Sequence, residues 1–271
     1  DPRFWGFIWQ MENEIRALCP IIYYHVWDNY PYPTFNQHYY DSCDVIATIS
    51  KVTDDIVKTV SPDTESVYIP HAVDSEIFKP LEKDVIQKAR LDAGIKPEQT
   101  LFFWNNRNAR RKQSGSLIFW FKDFLEKVGD TSAMLIMHTS PKDEAGQDLE
   151  AIVHQTGLVN GQIKFSTVKI PPHQLAMMYN MADCTVNIAD AEGFGLSSLE
   201  SLSCGTPVIN TMTGGLQEQV TDGENWFGIG IEPASRAIIG SQQIPWIYED
   251  RLSGDDVVAA FRKNNTGRRR A

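Results

Sequence analysis

The chain has 271 residues, of which 42% are hydrophobic, and carries a formal net charge of −10. That length and apolar content can bury a sizeable core and fit two domains, and no apolar run approaches the length needed to cross a bilayer. The acidic balance, with a single compact basic cluster in the body of the chain, argues against a nucleic-acid partner.

Short apolar segments near the amino end predict the strands of a first α/β domain. A polar stretch at Lys79-Pro80 marks the predicted end of this domain, residues 1–80, because it precedes a helical run at Asp84–Ala93. The predicted strands are Ile21–His25, Val45–Ser50 and Val67–Pro70, and the predicted helices between them are Gln37–Asp41 and Val52–Val60.

Alternating apolar strands and amphipathic segments predict a second domain at residues 81–240. This alternation is typical of a doubly wound parallel sheet with helices on both faces. The predicted strands are Leu101–Trp104, Met134–His138, Ile163–Ser166, Cys184–Ile188 and Val208–Asn210.

The remaining residues, 241–271, form a carboxy-terminal segment that we expect to pack back on the first domain. Its predicted parts are Pro245–Asp250 and a helix at Asp255–Lys263. The basic run Arg268-Arg269-Arg270 is predicted to be a disordered, solvated end, and peripheral contact with a membrane surface or an acidic partner is the alternative.

The four cysteines indicate a reducing, cytoplasmic compartment. Cys19, Cys43, Cys184 and Cys204 lie in or beside apolar segments and show no Cys-x-x-Cys spacing. We therefore predict buried thiols and no metal site.

A basic cluster follows the predicted strand at Leu101–Trp104. It reads Asn105-Asn106-Arg107-Asn108-Ala109-Arg110-Arg111-Lys112. Ligands of open α/β sheets bind at the carboxyl ends of strands, so Arg107 and Lys112 are expected to point into such a crevice and to bind phosphate. A solvated turn is the alternative for any short basic run.

A second cluster places two carboxylates eight positions apart across a glycine-rich turn. It reads Glu192-Gly193-Phe194-Gly195-Leu196-Ser197-Ser198-Leu199-Glu200, and it follows the strand at Cys184–Ile188. We predict a helix at Phe194–Ser203, whose unpaired first amides and dipole favour an anion such as a diphosphate. Glycines let the backbone approach a ligand closely. Taken alone, two helical glutamates more often face water.

Together these motifs resemble those of the retaining glycosyltransferases with the GT-B fold, in particular glycosyltransferase family 4. The resemblance extends from about Pro20 to Glu232. It includes Cys204-Gly205-Thr206-Pro207-Val208-Ile209, the glycine pair of Gly214-Gly215-Leu216-Gln217-Glu218, the strand Cys43–Ser50 and the connection Val67–Asp74. It implies an α/β fold of two Rossmann-like, doubly wound parallel-sheet domains, the first incomplete.

The resemblance also implies a site. Arg107 and Lys112 would bind the diphosphate of a nucleotide diphosphate sugar, Glu192 the sugar hydroxyls and Glu200 the ribose. Gly193, Phe194, Gly195 and Leu196 would supply the loop and amides around the donor. The implied reaction moves a hexose to an acceptor hydroxyl with retention, using neither metal nor cofactor.

Two further roles follow from the resemblance alone. His25, at the end of Pro20–His25, would lie beside the donor sugar, and Val168 and Lys169 would hold the base. For Val168 and Lys169 an ordinary strand-to-helix loop is an equally good interpretation.

The sequence departs from the family pattern at three places in its turns. Asn106 and Gln113 stand where glycines are usual, and His71-Ala72 stands where an Asn-Gly pair is usual. The family's first strand and glycine-rich loop have no counterpart before Pro20, so the resemblance implies that the chain is a fragment.

Two other hypotheses remain open. One is a non-catalytic sugar-nucleotide-binding or scaffold fragment of such an enzyme, and the other is a phosphorylase or epimerase on the same plan. The nucleotide base, the hexose, the acceptor (carbohydrate, lipid or small molecule) and the oligomeric state do not follow from the sequence.

Overall fold

The computed structural model describes residues 2–129 and 132–268. Within those ranges the chain forms eleven α-helices and eleven strands, arranged as a three-stranded sheet, a six-stranded sheet and a two-stranded hairpin. The predicted basic end at Arg268–Arg270 lies outside the residues whose side chains are described.

The first sheet is parallel and has the order β1-β2-β3. Its core is formed by buried apolar side chains such as Ile46, Ile56 and Val57. Ser50 caps α4 by accepting a hydrogen bond from the Thr53 amide at 3.1 Å, which explains why this helix begins at residue 51. The elements are α1 (Gly6–Gln10), α2 (Glu12–Arg16), β1 (Ile22–His25), α3 (Gln37–Asp41), β2 (Val45–Thr48), α4 (Lys51–Val60) and β3 (Glu65–Tyr68).

The second sheet is also parallel, and its order is β6-β5-β4-β7-β8-β9. The elements are α5 (Lys83–Asp92), β4 (Leu101–Asn105), α6 (Ser114–Val128), β5 (Met134–His138), α7 (Leu149–Thr156), β6 (Ile163–Ser166), α8 (Pro172–Met181), β7 (Cys184–Asn187), α9 (Leu196–Ser203), β8 (Val208–Thr211), α10 (Leu216–Val220) and β9 (Gly228–Ile231).

The order of the second sheet determines where a ligand can bind. The chain runs outward from β4 through β5 to β6 and then returns to place β7 on the other side of β4, where Phe102 pairs with Cys184. A crevice opens at such a switch point, at the carboxyl ends of the two central strands. The basic loop after β4 and the glutamate loop after β7 therefore meet there.

Both sheets confirm the predicted α/β class, and the predicted strands lie within about two residues of the observed ones. The glutamate helix begins at Leu196 rather than Phe194. The reason is that Gly195 has φ +94° and stands at the N-cap, outside helical geometry.

The carboxy-terminal helix α11 (Gly254–Arg268) corrects one expectation. It packs on the second domain rather than the first, because Phe261 contacts three rings of that core. The ring centroids lie 4.8 Å away for Phe102, 5.9 Å for Phe121 and 5.4 Å for Phe124.

An antiparallel hairpin, β10 (Ser235–Ile239) and β11 (Ile247–Arg251), was not predicted. Its second strand contacts the first domain, where the Tyr248 amide donates to the Tyr30 carbonyl at 2.6 Å. Trp246 packs edge-on against Phe35 at 5.1 Å. We propose the division into residues 1–80, 81–240 and 241–271 as the domain organisation, with the last part bridging the other two.

Three cysteines are buried as predicted, but Cys19 is exposed. It lies in the turn between α2 and β1, where no core reaches it. None of the helices that the structure describes is long and apolar enough to cross a membrane.

Candidate functional site

The glutamate loop joins β7 to α9 and forms one wall of a cavity of about 460 Å³. No side chain caps α9, and Gly193, Phe194, Gly195 and Leu196 all line the cavity. The first-turn amides of a helix have no intrahelical partners. This end of α9 is therefore suited to hold an anion.

A close approach of two loops fixes this wall. The Gly215 amide donates to the Glu192 carbonyl at 2.9 Å, and a Cβ on Gly215 would lie 2.3 Å from the Gly193 carbonyl oxygen. Only glycine fits at residue 215. The glycine pair of the sequence thus braces the glutamate loop from behind.

Lys112 meets Glu192 beside the cavity, which Arg111 and Glu192 line and Lys112 does not. The Lys112 ammonium donates to Glu192 Oε2, and both side chains are largely buried, with 9% and 15% exposed. The Arg111 guanidinium lies 3.4 Å from the same Glu192 Oε2 and also donates to the Ala191 carbonyl at 2.6 Å. The tertiary structure thus unites two cations of the basic loop with the first glutamate.

Burial shifts the titration of two groups around this pair. It lowers the pKa of Lys112 to about 7, and the neighbouring Arg111 guanidinium acts in the same direction while Asp28 opposes it. Burial also raises the pKa of Asp28 to about 6, against the effect of Arg111. Asp28 lies on the cavity wall that the first domain provides.

Arg107 is not brought to this cavity. Its guanidinium forms a two-pronged ion pair with Asp143, with both N–O distances 2.9 Å, and its side chain is 61% exposed. Spacing in the sequence selected Arg107, whereas the structure places Arg111 next to Lys112. Arg107 lies in the loop before the 3-10 turn at Arg110–Lys112, and that turn carries Arg111 and Lys112.

Glu200 lines a second cavity of about 240 Å³ beside the first, together with Asn105 and Asn106. Its Oε2 accepts a hydrogen bond from the Tyr179 hydroxyl at 2.6 Å, and Asn105 donates to that hydroxyl at 2.8 Å. Burial raises the pKa of Glu200. Because Glu192 lines both cavities, the two glutamates mark adjoining compartments of one cleft.

Val168 and Lys169 lie exposed on the loop between β6 and α8. They contribute to the lining of neither cavity. Their loop does lie at the same carboxyl edge of the sheet as Asn105, because β6, β5 and β4 are parallel neighbours.

His25 does not line the cavities, which corrects its expected position beside a donor. It is fully buried at the end of β1, and its Nε2 is 2.7 Å from the Tyr40 hydroxyl. Side chains alternate along a strand, and His25 points to the core side, where burial lowers its pKa to about 3.

The structure adds cavity residues that the sequence did not select. Asp28 and Asn29 follow β1 in the first domain, and His71 lies on the connection between the domains. The His71 ring packs edge-on against Phe194 at 5.3 Å, and its Nδ1 is 3.3 Å from the Tyr24 hydroxyl. In the sequence, the only indication of these residues is that they are polar and follow apolar segments.

Among the residues described, no cluster of three or more His, Cys, Asp or Glu side chains could hold a metal ion. The cations paired with Glu192 are Arg111 and Lys112, and Arg251 pairs with Asp190 of the same loop.

Comparisons with known proteins identify the family of the chain. The family model described as glycosyl transferases group 1 matches residues 86–262, which include both motif loops. A D-inositol 3-phosphate glycosyltransferase of Corynebacterium diphtheriae is 26% identical over 218 residues, 79% of this chain and 47% of that protein. The chain thus spans about half the length of this curated relative.

Two solved structures share the fold. Sucrose-phosphate synthase from Thermosynechococcus elongatus has a TM-score of 0.71 at 18% identity, covering 94% of this chain and 61% of that one. HepE of Anabaena in complex with UDP-glucose has a TM-score of 0.65 at 18% identity, covering 82% of this chain and 61% of that one. The shared architecture is GT-B, with two Rossmann-like α/β domains.

Proposed function

Because the chain belongs to the glycosyl transferases group 1 family, we propose that it moves a hexose from a nucleotide diphosphate sugar to an acceptor hydroxyl, with retention of anomeric configuration. The observation that carries the proposal is the contact of Lys112 with Glu192 at the uncapped start of α9. We also propose that the chain belongs to glycosyltransferase family 4, on the spacing of Glu192 and Glu200 together with that of Arg107 and Lys112.

The proposed diphosphate site consists of Arg111, Lys112 and the first amides of α9. A diphosphate would take the place of the Glu192 carboxylate on Lys112, since both are anions and Glu192 lines the cavity together with the helix start. Arg107 remains the residue that the family spacing favours. Its partner Asp143 would have to release it first.

The two glutamates then take separate roles. Released from Lys112, Glu192 would accept hydrogen bonds from sugar hydroxyls, and Glu200, in the adjoining cavity, would bind the ribose. The loop at Val168 and Lys169 is proposed to hold the base. HepE is described in complex with UDP and with UDP-glucose, which supports a nucleotide-sugar donor for this chain.

Transfer requires that the bond between the anomeric carbon and the diphosphate oxygen breaks. Negative charge then builds on the leaving diphosphate, and Arg111, Lys112 and the α9 amides would stabilise it. We propose that these groups make a divalent ion unnecessary. By analogy with the family, the departing phosphate takes the proton of the acceptor hydroxyl, so no second catalytic carboxylate is needed.

The acceptor would approach from the first domain, because Asp28 and Asn29 complete the cavity wall opposite the glutamate loop. A non-catalytic sugar-nucleotide-binding protein is the second candidate, because the same contacts would serve binding alone.

The test is a calorimetric titration with UDP, GDP and ADP and their glucose and mannose conjugates, first without metal and then with magnesium. Selective binding without metal, lost in Lys112→Ala, supports the proposed donor site. If none of the nucleotides binds in either condition, the proposal is wrong for this chain. Release of nucleotide from the bound conjugate separates the enzyme from the binding protein, and NMR of the product gives its anomeric configuration.

A further inference from the structure

Gln113 has an unusual backbone conformation for its residue type. With φ +55° and ψ 30° it is in the left-handed region, and it is the one residue other than glycine with positive φ in the part of the chain that the structure describes. Such a conformation is unfavourable for residues with a Cβ, whereas glycine adopts it readily. Gln113 also stands where a glycine is usual in the family, so its side chain must supply something that a glycine cannot.

The side chain of Gln113 reaches Asp190 on the neighbouring loop. Its Nε2 donates to both carboxylate oxygens, at 2.9 and 2.8 Å, and its Oε1 accepts from the Ser116 hydroxyl at 2.7 Å. The Asp190 side chain is only 2% exposed. A buried carboxylate with these partners is rigidly held, because its charge is stable only while they remain in place.

Asp190 also connects to a third segment. It forms an ion pair with Arg251 of β11, and its carbonyl accepts from the Asp250 amide at 3.0 Å. Its own amide donates to the Arg111 carbonyl at 2.8 Å. Asp190 thus ties together the basic loop, the glutamate loop and the hairpin.

We propose that Gln113, Asp190 and Arg251 form a positioning clip that holds the basic loop and the glutamate loop in place, and with them Lys112 and Glu192. Gln113 directly follows Lys112, and Asp190 precedes Glu192 by two residues, so the bridge fixes both loops next to the two groups that form the ion pair. The clip rests on the proposed function for its effect on donor binding. Its effect on loop order does not depend on that function.

The decisive variant is Gln113→Gly. It relieves the left-handed conformation but removes two hydrogen bonds from the buried Asp190 carboxylate, so the two effects on stability oppose each other and the thermal midpoint should change little. Amide exchange in residues 189–195 should nevertheless become faster without any nucleotide, and the dissociation constant of the nucleotide that binds should rise about tenfold or more, because small displacements of a binding group are expensive.

Two further variants separate the bridge from backbone effects. Gln113→Asn keeps an amide and tolerates positive φ, but it is too short for Asp190, so it should behave as Gln113→Gly does. Arg236→Ala removes a different ion pair of the same hairpin, between Arg236 Nε and Asp250 Oδ1 at 2.7 Å, and should change neither exchange nor affinity. The double variant Gln113→Gly with Asp190→Asn should change amide exchange in residues 189–195 and nucleotide affinity by less than the sum of the changes in the two single variants.

The outcomes distinguish the clip from the proposed function. Unchanged exchange in residues 189–195 of Gln113→Gly overturns the clip, and so does a lowered thermal midpoint with faster exchange throughout the chain, which indicates a merely structural role. Faster exchange confined to this loop supports the clip, even if wild-type protein binds no nucleotide. The absence of nucleotide binding to the wild-type protein would refute the proposed donor site and not the clip.

Discussion

At the scale of single residues, the four cations of the basic loop differ in how deeply their side chains are buried. The exposed fractions of the side chains are 61% for Arg107, 62% for Arg110, 46% for Arg111 and 9% for Lys112. A charge loses less of its interaction energy to solvent when it is buried. Burial also lowers the pKa of Lys112 to about 7, so it is the protonated form of Lys112 that we expect to contribute most to anion binding.

We predict that Lys112→Met weakens nucleotide diphosphate binding by roughly 10- to 100-fold, the effect of one charge-assisted hydrogen bond. The matched variant Arg107→Met should change affinity by less than about threefold, because that guanidinium is exposed and paired with Asp143. Calorimetric titration of both variants measures this difference. An equal loss in the two would restore the Arg107 assignment that sequence spacing favours.

A second effect at the scale of single residues is the titration of His25, which is buried in the core of the first domain. Burial lowers its pKa to about 3 from an ordinary value near 6.5. Between those values the unfolded chain binds the proton and the folded chain does not. The free energy of unfolding should therefore fall as the pH falls from about 6.5 towards 3, by at most about 1.4 kcal/mol per pH unit from this group.

Urea unfolding of wild type and His25→Gln at several pH values between 7 and 4 measures this contribution. The slope of stability against pH should be shallower in the variant. NMR should also show the His25 imidazole still neutral near pH 5. An imidazole that titrates close to pH 6.5 would show that the site is more open than the structure indicates.

At the scale of elements, the glutamate loop depends on its brace. Gly215→Ala places a Cβ 2.3 Å from the Gly193 carbonyl oxygen, where backbone must move. We predict a loss of about 1–3 kcal/mol in stability and weaker nucleotide binding, because the displaced wall carries Glu192. Gly157→Ala is the control. Its φ of +75° is unfavourable for alanine, but the added Cβ would have no atom within 4 Å.

Both glycine variants should be less stable in urea unfolding, but nucleotide affinity should fall only in Gly215→Ala. If affinity fell equally in Gly157→Ala, general loss of stability would be the cause. The brace would then have no specific role.

Helix α5 carries two cations, Lys88 and Arg90, that provide a second test at this scale. Arg90 is buried and donates to the carbonyls of Met181 at 2.5 Å and Gln99 at 2.6 Å, and it pairs with Asp183. We predict that Arg90→Ala costs about 3–5 kcal/mol, because Asp183 would keep a poorly solvated charge. Lys88→Ala should leave stability nearly unchanged, because its pair with Asp92 is exposed. Chemical unfolding of both measures the contrast, and equal effects would contradict it.

At the scale of the whole molecule, Glu218 joins the two sheets. Its carboxylate accepts from the Lys51 amide at the start of α4 and from the Tyr68 hydroxyl, each at 2.6 Å. Both partners belong to the first domain, whereas Glu218 lies on α10 of the second. This one side chain therefore helps to hold the cleft closed.

We predict that Glu218→Ala makes the connection at residues 69–80 about tenfold more susceptible to limited proteolysis, since charge-assisted hydrogen bonds are lost. Glu224→Ala, an exposed glutamate nearby, serves as the control and should cleave at the wild-type rate. Equal cleavage rates in Glu218→Ala and wild type would show that other contacts hold the domains.

Much of the fold was predictable because five of the six strands of the second sheet are local segments rich in apolar residues, whereas β9, in which glycine alternates with isoleucine, was not predicted. Met134–His138 and Ile163–Ser166 were predicted to the residue, and the family resemblance selected the Glu192 and Glu200 loops. The hairpin Ser235–Arg251 was missed, since its strands mix polar and apolar residues and one of them contacts a distant segment at Tyr30.

The amino-acid sequence by itself determined the class of fold and the two loops that carry charge, because hydrophobic periodicity and glycine-rich turns act over a few residues. Only the tertiary structure decided which side chains share the cleft. It brought Arg111 and Lys112 to Glu192, turned Arg107 towards Asp143 and buried His25 against Tyr40. Strand order and the direction of each side chain follow from packing between residues far apart in the chain, and no local pattern records them.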